Sequence, residues 1–537
     1  MSLDAARTPV VIAVGQAESR ELVLGPLELA EMAAREALAA SPGLAATIER
    51  VTLVNILSRR AGVAPASAVA ERLGLGAVAR ETTSIGGNTP QAMVERAAAD
   101  IALGRLRATL IVGAEAVRSG RLKPAGAEAA TAAPAAAADG RAPAHIVAPQ
   151  LPDAVVGGDR QDLSDEERAA GVLIPLHVYP MFESVLAARA GRTPAQQRDV
   201  IGRLLAPFTQ VAAANPHAWF RQARSAEELA TVSPDNRLVA EPYLKTMVAF
   251  LAGAQAAALV VTSLEVAKSL ALDDGALFVW SAATANDVWF PMARPDLGHA
   301  AGLEVAAGAA LGAARVGVGD ISAFDLYSCF PSAVQIAAST LGVDTGAGHG
   351  APVRPLTVTG GLPYFGGPGN NYCSHAISAM FELFRAGGAV AGRLGLVTGV
   401  GWYLTKHSVG VYGSTPPPER YRPLDASAAQ RRVDASALPY LPAGEEIAMA
   451  ARVEASTVLY ERDGTATAAP VIATLEDGRR VVASSGEGVA AEVAGTFLVG
   501  ARIQVERRAR VSLAPAYHVI DPPEPHCAER PMRPPKA

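Results

Sequence analysis

Cysteine is almost missing from this chain. Three occur in 537 residues, an odd and low count that cannot form a disulfide framework. A reducing compartment follows, and a cytoplasmic protein is expected. Charge is also scarce: 18% of residues carry it, and the net value of −5 leaves no basic face for nucleic acid. No uninterrupted apolar run is long enough to cross a bilayer. Met1–Asp4 lacks the basic segment that precedes a signal-peptide core, so a secretory leader is not expected. No GxGxxG follows the first strand, no P-loop appears, and no Cys/His spacing suits zinc, so no metal is expected.

What is present is apolar and small. Hydrophobic residues make up 50% of the chain, much of it alanine, which reads as close helix packing. The length predicts two or three domains. Thr8–Gly15, Val51–Leu57 and Ala108–Gly113 read as buried strands, with helices over Pro26–Ala40 and Ala92–Leu103. Strand–helix alternation of this kind places crossovers on a parallel sheet. Lys123–His145, rich in alanine, glycine and proline, predicts an exposed loop insertion. Leu163–Phe220 is expected to be mostly helical. The second half alternates in the same way, with strands at Ala276–Ala282, Ala323–Tyr327 and Leu394–Thr398 and helices at Leu303–Ala314, Ser332–Leu341 and Tyr372–Arg385.

Two units echo one another. Gly86–Ala92 precedes a helix and then a strand ending at Gly113; Gly366–Ala376 precedes a helix and then a strand ending at Gly399. Two duplicated halves about a pseudo-twofold are expected. After Pro416–Pro418 the texture changes to β-branched runs between Asp-Gly turns, predicting a small antiparallel barrel.

The densest motif is Gly360–His375, GGLPYFGGPGNNYCSH. Its glycines permit close backbone approach to a ligand, and a helix N-terminus follows. Together with TPVVIAVGQ, the SPDNR segment ahead of Pro242–Lys245, FDLYSCF and GWYLTKHSVGVYG, it resembles the SCP2-type branch of the thiolase superfamily. The pattern is most similar to the thiolase-like proteins of type 1, which carry an added C-terminal domain. The resemblance spans essentially the whole chain. It implies an α/β, five-layered αβαβα duplicated thiolase fold with a C-terminal antiparallel β-barrel. The expected divisions are 1–270 for the first half, including a helical insertion at about 120–250, 271–415 for the second half, and 416–537 for the barrel and tail.

The resemblance also locates four sites. The thiolase nucleophilic cysteine falls at Gly86, the Gly-His-Pro histidine at Gly367, and the acid/base cysteine at Gly399. The remaining motif reads Tyr327-Ser328-Cys329-Phe330. Without a nucleophile the covalent route is closed, and a lost oxyanion donor alone costs about 10²–10³ in rate. The expected protein is therefore an acyl-CoA-handling relative of the acetyl-CoA acetyltransferases, tied to lipid metabolism, without the thiolase reaction.

Remaining chemistry has named candidates. Cys373 and His375 share the first turn of a helix, where the dipole acidifies a thiol and disfavours a cation. They are either a relocated nucleophile–base pair or a buried hydrophobe beside a loop-locking donor. Cys329 faces the same cavity by the family pattern. Tyr364 and Tyr372 could serve as acids in retro-aldol cleavage of a 3-hydroxyacyl-CoA, a second reading that needs a tyrosine hydroxyl on His375. A third reading is a non-catalytic CoA-ester scaffold. Lys406 and His407 either hold the last glycine turn or meet a phosphate. His217, Arg221 and Lys245 are the candidate contacts to coenzyme A, the one ligand implied; no covalently bound cofactor is expected. The barrel is a candidate surface for a protein partner, and both monomer and dimer stay open.

Overall fold

The computed structural model describes residues 4–21, 23–58, 64–117, 153–347, 354–387, 392–507 and 515–523. The loop expected at Lys123–His145 and the tail beyond 523 lie outside the described residues.

The first half contributes β1 (Pro9–Glu18), β2 (Arg50–Leu53), β3 (Ala79–Thr83), β4 (Ala108–Ala116) and β5 (Ala154–Val156). Short strands β6 (Leu238–Ala240) and β7 (Tyr243–Leu244) follow, then β8 (Ala254–Ser263). The second half contributes β9 (Leu277–Asn286), β10 (Ile321–Asp325), β11 (Leu394–Gly401) and β12 (Lys406–Gly413). Ten of these strands form one sheet in the order β10-β11-β12-β9-β1-β8-β4-β2-β3-β5. Each half repeats one plan. Its first strand runs antiparallel to its last, the last antiparallel to the next strand, and parallel strands continue outward. The halves meet where β1 pairs with β9 through Val10↔Phe278 and Val11↔Leu277.

The helices sort by face. Helices α1 (Pro26–Leu38) and α2 (Pro65–Arg72) cover the outside of the first half. Helix α3 (Thr89–Leu103) lies in the centre, touching strands of both halves. Helices α4 (Pro175–Arg189) and α5 (Pro194–Ala214) fall between β5 and β6, within the first half, and form a helical insertion packed on the main core. Helix α6 (Ala301–Ala314) covers β9 and β12 from outside, and α7 (Pro331–Leu341) bridges α6 to the insertion. Helix α8 (Tyr372–Ala386) joins α3 in the central layer. Strand β1 shows why both faces are covered: Val10 and Ile12 pack outward with Leu29 and Ala33, while Val11 packs inward with Val94.

The last part is a closed five-stranded barrel, with strands β13 (Ile447–Ser456), β16 (Val471–Leu475), β17 (Arg480–Ser485), β19 (Ala516–Asp521) and β18 (Arg502–Arg507) in that order. It is not purely antiparallel as expected: β17 and β19 run parallel through Ser484↔Ala516 and Ser485↔Tyr517. A small strand pair, β14 (Leu459–Tyr460) and β15 (Ala466–Ala468), leaves the barrel to join β6. That joint is polar. The Glu241 N–H donates to Val458 O at 2.8 Å, and the Tyr460 hydroxyl donates to Glu241 Oε2 at 2.9 Å.

Candidate active-site region

The glycine-rich loop is fixed at its entry by a buried acid. Asp325 closes β10 with its carboxyl fully enclosed. Its Oδ2 accepts from Thr357 Oγ1 (3.0 Å), Val358 N (3.0 Å), Thr359 N (3.2 Å) and Thr359 Oγ1 (3.1 Å). Burial raises its pKa against the pull of these donors. Thr359 Oγ1 also meets the Tyr372 hydroxyl at 2.5 Å.

The loop's exit is tied to the first half. Gly367 N donates to Phe250 O at 2.8 Å. Asn370 Oδ1 accepts from Gly86 N at 3.0 Å, while its Nδ2 donates to Asn55 O at 2.9 Å. Asn371 Nδ2 donates to Gly113 O at 2.7 Å. Sequence reasoning singled out neither asparagine, because asparagine after glycine reads as turn chemistry. Two asparagines directly ahead of a helix were the available signal.

The glycines at and beside the positions where the resemblance expects catalytic side chains (Gly86, Gly367 and Gly399) are crowded by their neighbours. A Cβ at Gly87 would stand 2.0 Å from the Tyr327 hydroxyl oxygen. One at Gly399 would stand 2.9 Å from Cys373 Sγ and 2.9 Å from Asn88 Cα. At Gly86 it would meet Asn88 Oδ1 at 2.5 Å, and at Gly367 it would press on Leu251 Cδ2 at 3.1 Å. Hydroxyl, thiol and backbone atoms thus fill the volume that longer side chains would need.

The Cys373–His375 pair does not form. Cys373 Sγ donates to Gly87 O at 3.0 Å, whereas His375 Nδ1 meets Gln16 Oε1 at 2.7 Å. The expected acidification of Cys373 is corrected as well. Burial, with the Asp325 charge adding to it, pushes the thiol well above its usual range. Full desolvation outweighs the helix dipole here. The imidazole is neutral as expected, with burial lowering its pKa to about 3.

No tyrosine hydroxyl reaches His375. His375 Nε2 and the Tyr364 hydroxyl each lack a hydrogen-bond partner, and the Tyr372 hydroxyl is committed to Thr359. The acid–base couple that retro-aldol cleavage was expected to use is therefore not assembled. Burial raises the pKa of both phenols. Cys329 is pushed up to about 12 by burial. His407 lies buried on β12 with Nε2 on Leu404 O at 2.9 Å and its pKa lowered by burial to about 4.

The coenzyme A candidates divide between two places. His217 Nδ1 pairs with Glu18 Oε2 at 3.0 Å, which raises the imidazole pKa. Arg221 is exposed next to Phe220, whose N–H bonds to Tyr364 O at 2.9 Å. Phe220 and Phe250 meet edge to face at 4.7 Å, with Leu251 57% exposed beside them. Lys245 is exposed at the end of β7, on the hairpin that meets the barrel-side strands. Among the described residues no group of three His, Cys, Asp or Glu side chains is placed to hold a metal ion.

No family model and no curated protein matches this chain. Solved structures do. A monomeric SCP2-thiolase-like protein type 1 from Mycobacterium smegmatis superposes with TM-score 0.77 and 27% identity, covering 96% of this chain and 100% of that one. The Ltp2–ChsH2(DUF35) aldolase gives TM-score 0.55 at 18% identity over 76% of this chain and 98% of that one. Human mitochondrial 3-ketoacyl-CoA thiolase gives TM-score 0.53 at 17% identity over 77% of this chain and 100% of that one. The last two are similar in fold alone, while the mycobacterial protein matches nearly the full length. With the repeated half-sheets, the central helix pair and the appended barrel, this chain has a thiolase-like fold and is similar over nearly its full length to an SCP2-type thiolase-like protein.

Proposed function

We propose that this protein binds an acyl-CoA thioester and performs neither thiolysis nor Claisen condensation. The observation that carries this reading is the filled volume at Gly86 and Gly399, taken by Asn88 Oδ1 and Cys373 Sγ. Covalent acyl transfer needs a nucleophile and an oxyanion donor there. A buried thiol with a strongly raised pKa supplies neither. Binding is supported by relatives in fold: human mitochondrial 3-ketoacyl-CoA thiolase and the Acat5 thiolase of Ascaris suum were both solved with coenzyme A. In this chain Phe220, Phe250 and Leu251 offer an apolar track for the pantetheine arm. His217 and Arg221 offer cations for the phosphates.

Titration calorimetry with acetyl-CoA and octanoyl-CoA tests the binding. Saturable heat that weakens several-fold in Arg221→Ala is expected. Acetoacetyl-CoA thiolysis tests the chemistry: turnover within the enzymatic range of about 1–10³ s⁻¹ would overturn the proposal. Restoring cysteine should not restore activity. Gly86→Cys and Gly399→Cys are each expected to stay inactive and to lose about 1–3 kcal/mol in urea melts, because the added Cβ overpacks its site.

A further inference from the structure

A cavity of about 480 Å³ opens beside the Gly86–Asn88 turn. Asn88, Thr89, Asp159, Arg160, Trp289 and Lys406 contribute to its lining. The size falls within the range of small-molecule pockets. None of the candidate catalytic residues lines it.

Its central feature is an enclosed cation. The Lys406 side chain is 8% exposed, and its Nζ donates to Ile85 O at 2.7 Å, Gly158 O at 3.3 Å and Asp159 Oδ1 at 3.3 Å. The Trp289 and Trp402 rings flank it at 5.8 and 6.0 Å. Enclosing an ammonium is costly unless anionic or carbonyl partners compensate. The anionic partner is Asp159, whose side chain is 41% exposed. Its carboxylate also receives Ile85 N on Oδ1 and Oδ2 at 3.0 and 3.1 Å. A half-exposed carboxylate therefore sits in an anion hole made of one backbone N–H and one enclosed ammonium.

Two further groups border that hole. The Arg160 guanidinium lies 3.8 Å over the Trp289 ring. Asn88 is 4% exposed, yet its Oδ1 accepts no hydrogen bond. Asn88 Oδ1 is enclosed against Gly86 and Gly401 rather than open to the cavity, so a guest would meet cations and an indole face.

We propose that this cavity binds a short carboxylate, with Asp159 a displaceable occupant of the carboxylate subsite. The guest carboxylate takes Ile85 N–H and Lys406. The proposal does not depend on coenzyme A binding and is tested separately.

Tryptophan fluorescence reports occupancy, since two indoles flank Lys406. Asp159→Ala, an exposed change, is titrated with lactate and with propionate. Saturable quenching is expected, at least tenfold tighter than in the unsubstituted protein because the internal competitor is gone. Adding Lys406→Gln should abolish the response. Adding the exposed change Arg160→Gln should weaken it several-fold, which keeps the test sound if the lysine variant folds poorly. No saturable response in Asp159→Ala overturns the proposal, and so does unchanged affinity in both double variants.

Discussion

His375 and His407 are held neutral by enclosure, and that has a measurable sign. Their folded pKa values are lowered to about 3 and about 4 from an ordinary 6.5. Below the ordinary value the unfolded chain binds protons that the folded chain refuses. Each histidine therefore removes stability as pH falls from about 6.5 toward 4, by up to about 1.4 kcal/mol per pH unit. Glu167 acts in the opposite sense. Burial raises its pKa from 4.5 to about 7, so its contribution is present at low pH and lost as pH rises from 4.5 through 7. Urea melts between pH 4.5 and 7 should show a shallower acid loss in His375→Gln than in the unsubstituted protein. Glu167→Gln should show a steeper one. At this scale residue identity was legible in the sequence, and the missing cysteines and histidine were read from it directly. The ionisation of Cys373 was not, because first-turn position predicts a low pKa while zero exposure decides for a high one.

The element that organises the site is the 357–367 loop, and Asp325 is its anchor. Four donors converge on one carboxylate oxygen. Deleting the carboxyl in Asp325→Ala strands the Val358 N–H, while Thr359 N keeps only Thr357 Oγ1 at 3.2 Å, a loss of about 1–3 kcal/mol for a buried group left unpaired. Amide exchange at 358–361 is expected to rise at least tenfold, while exchange in the centre of α3 stays unchanged. Protection retained at 358–361 would show that the loop holds without its acid. Long elements with a clear period were legible: β1, α1, β4 and α6 formed close to their expected bounds. Strand β12 was missed because KHSVGVYG mixes glycine, serine, a lysine and a histidine, yet every residue of it is buried by neighbours distant in sequence. Strand β3 (ARETT) was missed for the same reason: its polar letters find partners only in the fold, as where Thr52 Oγ1 donates to Glu81 Oε1 at 2.7 Å.

At the scale of the molecule, β5 lies parallel along the free side of β3. It is three residues long, and a short edge strand is a poor template for pairing between copies. The protein is expected to sediment as a monomer at micromolar concentration in analytical ultracentrifugation; a stable dimer would mean that β5 does not seal this side. The duplication was legible as two glycine loops, each followed by a helix and a strand. The parallel β17–β19 pairing was not, since parallel partners far apart in sequence leave no local signature. The hydrogen bond from Gly86 N to Asn370 Oδ1 joins one repeat to the other. The second repeat thus completes a turn of the first. Two identical copies of the first repeat would bring no Asn370 to the joint, so the pair works only as a heterologous couple.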